Sequence, residues 1–278
     1  MTHREPHIWD GCCECDCDDC TTSDGNFCTC PECDSINAGA MLKDDLLDII
    51  GQRIADHPRS AQSTIGPSEL GMPCTRKLAH RLAGTERQSQ RPAWRTAVGT
   101  AVHAYLAETF DSFNENQDSP VPRFHVEKRV TIGQAGGVDI TGTADLFDRE
   151  TFTVVDWKIV GATSLKAARL TGPKPQYRTQ VHCYGAGFVN RGERVERVAI
   201  MWLPQSGELH DAVFWSEPYD PEVVTVALAR ADGVETLLKA FGTSAWAMIP
   251  RADDYCMSCP FRRSNAQITD HDACPGVI

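Results

Sequence analysis

The spacing of apolar residues along the chain predicts alternating blocks of helix and strand. The helical pattern and its start and stop signals cover about 35–55, 68–84, 93–113, 175–190 and 221–241. Short apolar or alternating runs predict strands at about 123–132, 138–147, 152–160, 196–204 and 208–216. Ser68 is the expected cap of the second helix. Helices, a strand meander, then a helix and two strands predict a mixed α/β domain.

Two of these strands flank the polar turn 148–151 and predict a β-hairpin with half-buried arms. If the turn is centred on its middle peptide, paired residue numbers sum to 301, so Asp145 lies opposite Asp156. Lys158 follows Asp156 by two positions and points to the same face. Opposed carboxylates repel each other, so a cation should compensate them. A divalent metal beside the lysine would do so.

Composition sets the class of protein. The chain has 278 residues, of which 41% are hydrophobic, which is adequate for a packed core. No secretory signal and no apolar run of membrane length is visible, so we expect a cytoplasmic protein without membrane contact, in the host cytoplasm if a phage encodes it. Thirteen cysteines in that reducing compartment favour metal binding over disulfides.

The net charge of −11 is unevenly distributed. Residues 1–50 carry 12 acidic and 2 basic residues, a net charge of −10, and the remaining residues are close to neutral at −1. The acidity therefore belongs to the N-terminal segment, and it does not exclude a nucleic-acid partner for the rest of the chain.

Two predicted helices carry polar residues one turn apart on a single face. Gly99 and His103 form one such pair, and Gln180 and Tyr184 form the other. Each pair taken alone is equally compatible with packing or solvent-facing residues that have no chemical role.

The motifs together resemble a known family. In chain order they are GTAVH, Glu127 within a strand, GTAD, DWK and QVHCY, and this series over about residues 95–190 resembles the RecB-like nucleases of the PD-(D/E)xK superfamily. The resemblance implies a restriction-endonuclease-like core, with a mixed central sheet flanked by helices. We expect the nuclease domain at 35–278 and its core at about 95–217.

The resemblance also implies a Mg²⁺- or Mn²⁺-dependent deoxyribonuclease that digests single-stranded DNA from its ends. The metal ligands it implies are His103, Asp145, Asp156 and the backbone carbonyl of Trp157. The metal would polarise the scissile phosphate and activate a water, and Lys158 would position that water or stabilise the transition state. Gln180 and Tyr184 would hold DNA or order the site, and Glu127 matches an upstream catalytic acid. The alternative for Asp156 and Lys158 is a plain salt bridge.

Four further cysteines flank this core. Cys74 precedes it, and Cys256, Cys259 and Cys274 follow it. This arrangement resembles the iron–sulfur exonucleases of the Cas-four-like family, in which four thiolates hold a [4Fe–4S] cluster that joins the N- and C-terminal helical parts. Cys274 departs from the usual short spacing after Cys259. Zinc, or unrelated free thiols, are the alternatives.

The N-terminal extension, residues 1–34, contains eight cysteines within 22 residues. Cys17, Cys20, Cys30 and Cys33 form two C-x-x-C pairs, which are typical of a zinc knuckle. The alternative is a disordered acidic tail that binds metal opportunistically. An autoinhibitory role or a protein partner for this extension is also open.

Two other functions are compatible with the same fold. One is a non-catalytic adaptor that binds DNA ends, although the intact set of acids and lysine argues against it. The other is a sequence- or structure-specific endonuclease, for which no recognition domain is visible. No G-x-x-x-x-G-K-[ST] motif is present, so we expect no ATP motor in the chain. Phage recombination modules and CRISPR loci both contain free-standing members of this kind, and the sequence does not decide between them.

Overall fold

The computed structural model describes residues 31–56, 65–87, 94–253 and 255–277, and the chain divides into two compact units, 1–57 and 58–278. In the first unit, helix α1 spans Pro31–Ala55. It starts four residues before the predicted position, inside the predicted extension. The boundary at residue 34 stays a prediction. Within these ranges, no helix is both long and apolar enough to cross a bilayer.

The second unit is a mixed α/β domain. Its described helices are α2 (Pro67–Leu70), α3 (Thr75–Leu82), α4 (Trp94–Glu115), α5 (Ala162–Thr171), α6 (Pro175–Asn190) and α7 (Pro221–Phe241). Its described strands are β1 (Phe124–Ala135), β2 (Val138–Asp148), β3 (Thr153–Val160), β4 (Arg197–Pro204) and β5 (Val213–Pro218). The predicted α/β class is confirmed.

The five strands form one sheet in the order β1-β2-β3-β4-β5. Strands β3 and β4 are parallel, whereas the other neighbouring pairs are antiparallel. A parallel pair needs a long connection, and α5 and α6 supply it. The predicted β2–β3 register is confirmed, since Leu146 pairs with Val155 and Asp148 with Thr153.

Apolar residues on the two faces of the sheet build separate cores. Phe147 and Val154 face a core that includes residues of α6 and α7. Leu146, Val155 and Trp157 face the other way and pack with residues of α4. This alternation follows from the two-residue period of a strand. The sheet is therefore covered by helices on both faces.

In both β1 and β2, the alternation of faces is broken at one position, where Glu127 lies opposite Asp145. Leu146 packs on the α4 side and Ala144 on the α6 side, although strict alternation would place both on one face. Pairing of the neighbouring residues places Glu127 opposite Asp145. Glu127 has a φ of +44°, a left-handed conformation that costs a non-glycine residue about 1–3 kcal/mol. The irregularity is located at Glu127 and Asp145, and it turns both acidic side chains toward α4.

The structure corrects the predicted elements at four points. The helix expected over 68–84 is two helices, because Gly71 ends α2, Pro73 follows in the link, and Cys74 caps α3. The cap of α2 is Gly66, whose N–H donates to Glu69 Oε2 at 2.8 Å, and it is not Ser68. Helix α5 was not predicted. The last strand starts at Val213, after a short 3₁₀ turn.

Helix α2 lies against α6 through a close backbone contact at Gly71. A Cβ atom at Gly71 would lie 2.8 Å from the Cα and the carbonyl oxygen of Gln176. Because backbone cannot move aside as a flexible side chain can, Gly71→Ala should lower the free energy of unfolding by about 1–3 kcal/mol. Chemical denaturation measures this change.

Gly233→Ala in α7 is the matched control. A Cβ atom there meets nothing within 4 Å, and alanine is the better helix former, so stability should rise by up to about 1 kcal/mol. Equal stability of the Gly71→Ala variant and the wild type would contradict the close packing of α2 on α6.

Candidate functional site

Three potential metal ligands meet where α4 faces the irregularity in β1 and β2. Suitable atoms of His103, Glu127 and Asp145 all lie within 4.8 Å of one another. His103 Nδ1 is 3.2 Å from Asp145 Oδ1 and 3.9 Å from Glu127 Oε1. Helix α4 therefore supplies one nitrogen, and the two strands supply the oxygens.

The surroundings of the His103 ring are suitable for a metal ligand. Its Nδ1 is buried and faces the carboxylates of Asp145 and Glu127. Burial alone lowers the pKa of His103, but the facing carboxylates of Asp145 and Glu127 raise it to about 9. Without a metal the ring is thus protonated at neutral pH, and a divalent cation would take the place of that proton. One imidazole and two carboxylates suit Mg²⁺ or Mn²⁺.

Asp145 also holds the hairpin where β2 leaves β3. Its Oδ2 accepts a hydrogen bond of 2.8 Å from the backbone N–H of Trp157. The two strands pair only from Leu146 onward, so this carboxylate takes over the role of a strand partner. Asp145 is consequently fixed through one oxygen while the other faces His103.

A second group of polar side chains lies on the α6 side of β3. Lys158 Nζ is 2.6 Å from Asp156 Oδ2 and donates to Gln180 Oε1 at 3.0 Å. The Gln180 amide donates to Asp156 Oδ1 and to the Tyr184 hydroxyl, both at 3.2 Å. Gln180 therefore bridges the acid, the lysine and the tyrosine.

These contacts govern the ionisation of the buried pair. Burial, aided by Asp145 and opposed by Lys158, raises the pKa of Asp156 to about 6. Burial lowers the pKa of Lys158, but Asp156 outweighs it and the pKa lies above its ordinary value. The two carboxylates thus face two protein cations, His103 and Lys158. The repulsion expected from the sequence is compensated within the protein, so repulsion alone does not require a metal.

Tyr177 is a member of this group that the sequence did not identify. Lys158 Nζ lies 4.7 Å from the centre of the Tyr177 ring. Tyr177, Gln180 and Tyr184 follow one another at intervals of three and four on α6, so all three occupy one helix face. That spacing was readable in the sequence, but only the fold shows that the face meets Lys158.

The predicted residues are therefore distributed over two adjoining groups. His103 and Asp145 lie together as expected, and Glu127 joins them within ligand distance. Asp156 contacts Lys158 and Gln180 instead. The carbonyl of Trp157 as a ligand stays a prediction.

The four cysteines that flank the core in sequence line one pocket. Cys74, Cys256, Cys259 and Cys274 lie in it with Lys77, His80, Ala252, Arg262 and Gly276. The long segment after Cys259 folds back, because the Cys274 N–H donates to the Phe261 carbonyl at 2.8 Å. The backbone N–H of Gly276 also donates to Cys274 Sγ at 3.4 Å.

Side chains of α3 tie this pocket to the C-terminal segment. The fully buried guanidinium of Arg76 donates to the carbonyls of Trp246, Ile268 and Asp270. His80, also fully buried, lies between the rings of Trp246 and Phe261, at centroid distances of 4.5 and 4.9 Å. Burial, together with the nearby Arg76 charge, lowers the pKa of His80 to about 4, so its ring is neutral.

The remaining predicted ligands are at the N-terminus. Cys17, Cys20 and Cys30 lie outside the described residues, as does the side chain of Cys33. Their zinc site stays a prediction.

The chain has distant likenesses among solved structures, whereas no curated protein matches its sequence significantly. The protein in the crystal structure of SSO0001 shares 18% identity, with 79% of this chain and 94% of that chain covered and a TM-score of 0.48. The alkaline exonuclease LHK-Exo from Laribacter hongkongensis shares 13%, with 64% and 89% covered and a TM-score of 0.43. A phage-related exonuclease from Haemophilus somnus 129PT shares 11%, with 60% and 81% covered and a TM-score of 0.40.

A family model supplies the decisive comparison. The model of the PD-(D/E)XK nuclease superfamily matches residues 74–264, more than half of the chain. The match contains both polar groups of the site, the hairpin and helix α6. The chain therefore belongs to the PD-(D/E)XK nuclease superfamily and is a nuclease of that type.

Proposed function

We propose that the protein is a Mg²⁺- or Mn²⁺-dependent exonuclease that digests DNA from single-stranded ends. The observation that carries this proposal is that the group of possible ligands, His103, Glu127 and Asp145, adjoins the partly buried pair of Asp156 and Lys158. Exonuclease neighbours such as LHK-Exo, whose complex with dAMP is known, support an action on DNA ends. Single-strand preference rests on the resemblance alone.

The proposed roles of these residues follow from their positions in the site. His103, Glu127 and Asp145 would hold the cation, with Asp156 and the Trp157 carbonyl completing its oxygen ligands. When bound, the cation supplies positive charge at the scissile phosphate and acidifies a water. Lys158 stabilises the negative charge that develops on the phosphate. Gln180 fixes the positions of Lys158 and Asp156 relative to each other through hydrogen bonds, and Tyr184 in turn orients Gln180.

Loss of the Lys158 charge should abolish most of the activity. We expect Lys158→Ala to digest end-labelled single-stranded DNA about 100- to 1,000-fold more slowly than wild type in Mn²⁺. Both proteins are purified without oxygen, so that loss of a cluster cannot imitate a dead site. Lys166→Ala, which removes an exposed lysine of α5, should retain wild-type activity.

The same assay with a closed circular strand separates the remaining functions. An exonuclease leaves the circle intact, and an endonuclease cuts it. If neither wild type nor variant cuts linear DNA while both bind its ends, the protein is an adaptor. Equal digestion by wild type and Lys158→Ala would show that another site, or a contaminant, is responsible.

Tyr177 should act as a positioning residue for Lys158. A cation–π contact of a desolvated amine is worth about 1–2 kcal/mol, so Tyr177→Leu should lower kcat about tenfold. Tyr177→Phe keeps the ring face and should retain wild-type kcat. Steady-state kinetics on linear DNA provide the readout, with thermal unfolding as a control for structure. An effect of Tyr177→Leu on KM alone would indicate that the ring binds DNA instead.

We further propose that the cysteine pocket holds a [4Fe–4S] cluster, as in the Cas-four-like exonucleases. Convergence of four thiols from both sides of the core supports this, because such clusters take four cysteine ligands. Lys77 and Arg262 at the pocket would balance thiolate charge. The cluster would join α3 to the C-terminal segment, beside the link that Arg76 makes.

Metal analysis tests the cluster. Protein purified without oxygen should contain about four iron and four sulfide ions per chain and absorb near 400 nm, and dithionite should bleach it. Serine in place of any one of the four cysteines should reduce the iron content. Cys183→Ala, at a buried cysteine away from this pocket, should keep it. Stoichiometric zinc in a colourless protein would contradict the proposal.

For the N-terminal extension, residues 1–34, we retain the proposal of a zinc knuckle formed by Cys17, Cys20, Cys30 and Cys33. Its acidity would repel DNA, so a protein partner or an autoinhibitory contact suits it better than DNA binding. A cytoplasmic location would keep these thiols reduced and available for metal.

A further inference from the structure

His80 is a fully buried residue with one ring nitrogen left unsatisfied. Its side chain lines the pocket of Cys74, Cys256, Cys259 and Cys274. Nδ1 of His80 is 3.1 Å from the hydroxyl oxygen of Thr85. Nε2 is buried, and nothing in the described part of the chain hydrogen-bonds to it. Buried polar atoms in folded proteins normally have a partner, and the described part of the chain supplies none for this atom of a pocket-lining side chain.

The contact with Thr85 permits the tautomer of His80 that carries its hydrogen on Nε2. A hydroxyl can donate to Nδ1, and a neutral imidazole then carries its proton on Nε2. The unsatisfied atom is in that case an N–H donor that needs an acceptor. The basic side chains that line the pocket, Lys77 and Arg262, carry only donors. Among the side chains that line the pocket, the four sulfur atoms are the possible acceptors other than His80 itself.

The ring cannot turn away from this position without cost. It is stacked on the Phe261 ring and also packs, at a tilt, against the Trp246 ring, so both contacts restrict its plane. Phe261 lies two residues after Cys259, and its carbonyl binds the N–H of Cys274. His80 is therefore packed against the segment that carries three of the four thiols.

We propose that the Nε2–H of His80 donates a hydrogen bond to a sulfur of the iron–sulfur cluster held by the four cysteines. This inference rests on the cluster proposed above. The four thiols already supply one ligand to each iron, so a fifth polar residue acts on sulfur and not on iron. A hydrogen bond to sulfur stabilises the extra negative charge of the reduced cluster, so His80 raises its reduction potential. The backbone N–H of Gly276, which donates to Cys274 Sγ, acts in the same direction.

The test uses the full chain, purified without oxygen, with ¹⁵N-labelled histidine. Pulsed EPR of the dithionite-reduced cluster should show coupling to one histidine nitrogen. His80→Phe keeps a flat ring between Trp246 and Phe261 but removes both nitrogens. It should abolish the coupling and shift the midpoint potential to a lower value at unchanged iron content. His271→Phe, at an exposed histidine that does not line the pocket, should change neither.

The outcomes separate this inference from the one on which it rests. Full iron and sulfide content without ¹⁵N coupling would overturn the role of His80 and leave the cluster standing. A protein without iron or sulfide would overturn both. If His80→Phe does not fold, labelled wild type and His271→Phe still decide, since among the described histidines His80 alone lines the pocket. Coupling that survives in His271→Phe then supports the assignment.

Discussion

Burial of charge at the centre of the sheet is the constraint on which the rest of the site depends. Asp145 and Asp156 are buried and Lys158 is partly buried, so an unpaired charge among them is costly. Each is stabilised by specific partners: a backbone N–H for Asp145, Lys158 for Asp156, and Gln180 for both members of that pair. Such a network leaves little freedom of position, and this rigidity is what a site for phosphodiester chemistry needs.

The irregularity at Glu127 belongs to the same constraint. A regular strand would turn alternate residues to opposite faces, and the acids of β1 and β2 would not both reach His103 on α4. Glu127, which has left-handed backbone angles and lies opposite Asp145, changes which residues of β1 face α4. Strain in the backbone is therefore located where three ligand atoms converge, as strain often is at functional sites.

Helix α6 connects this site with the cysteine pocket. One face carries Tyr177, Gln180 and Tyr184 against the lysine. The N-terminal end packs on Gly71, three residues before Cys74, and Lys174 lies over the ring of Tyr255, next to Cys256. Residues near Cys74 and Cys256 thus contact α6 or the residue that caps it, and the same helix carries the side chains that bind Lys158 and Asp156. Helix α6 is therefore the element through which the cysteine pocket and the Lys158 group are linked.

The sequence by itself predicted the β2–β3 register, most helices and a set of candidate site residues, of which the fold brings His103, Glu127 and Asp145 together in one group and Asp156, Lys158, Gln180 and Tyr184 in another. The register and the helices follow from local information: a two-residue period, a polar turn, and proline and glycine at element ends. The sequence did not reveal α5 or the left-handed residue Glu127. The division of the helix before residue 84 was readable from Gly71 and Pro73, but it was not predicted. Only the tertiary structure brought Glu127 to His103, Tyr177 to Lys158, and Arg76 and His80 to the C-terminal segment. Those contacts join residues up to about 190 positions apart, and no periodic pattern along the chain encodes such distances.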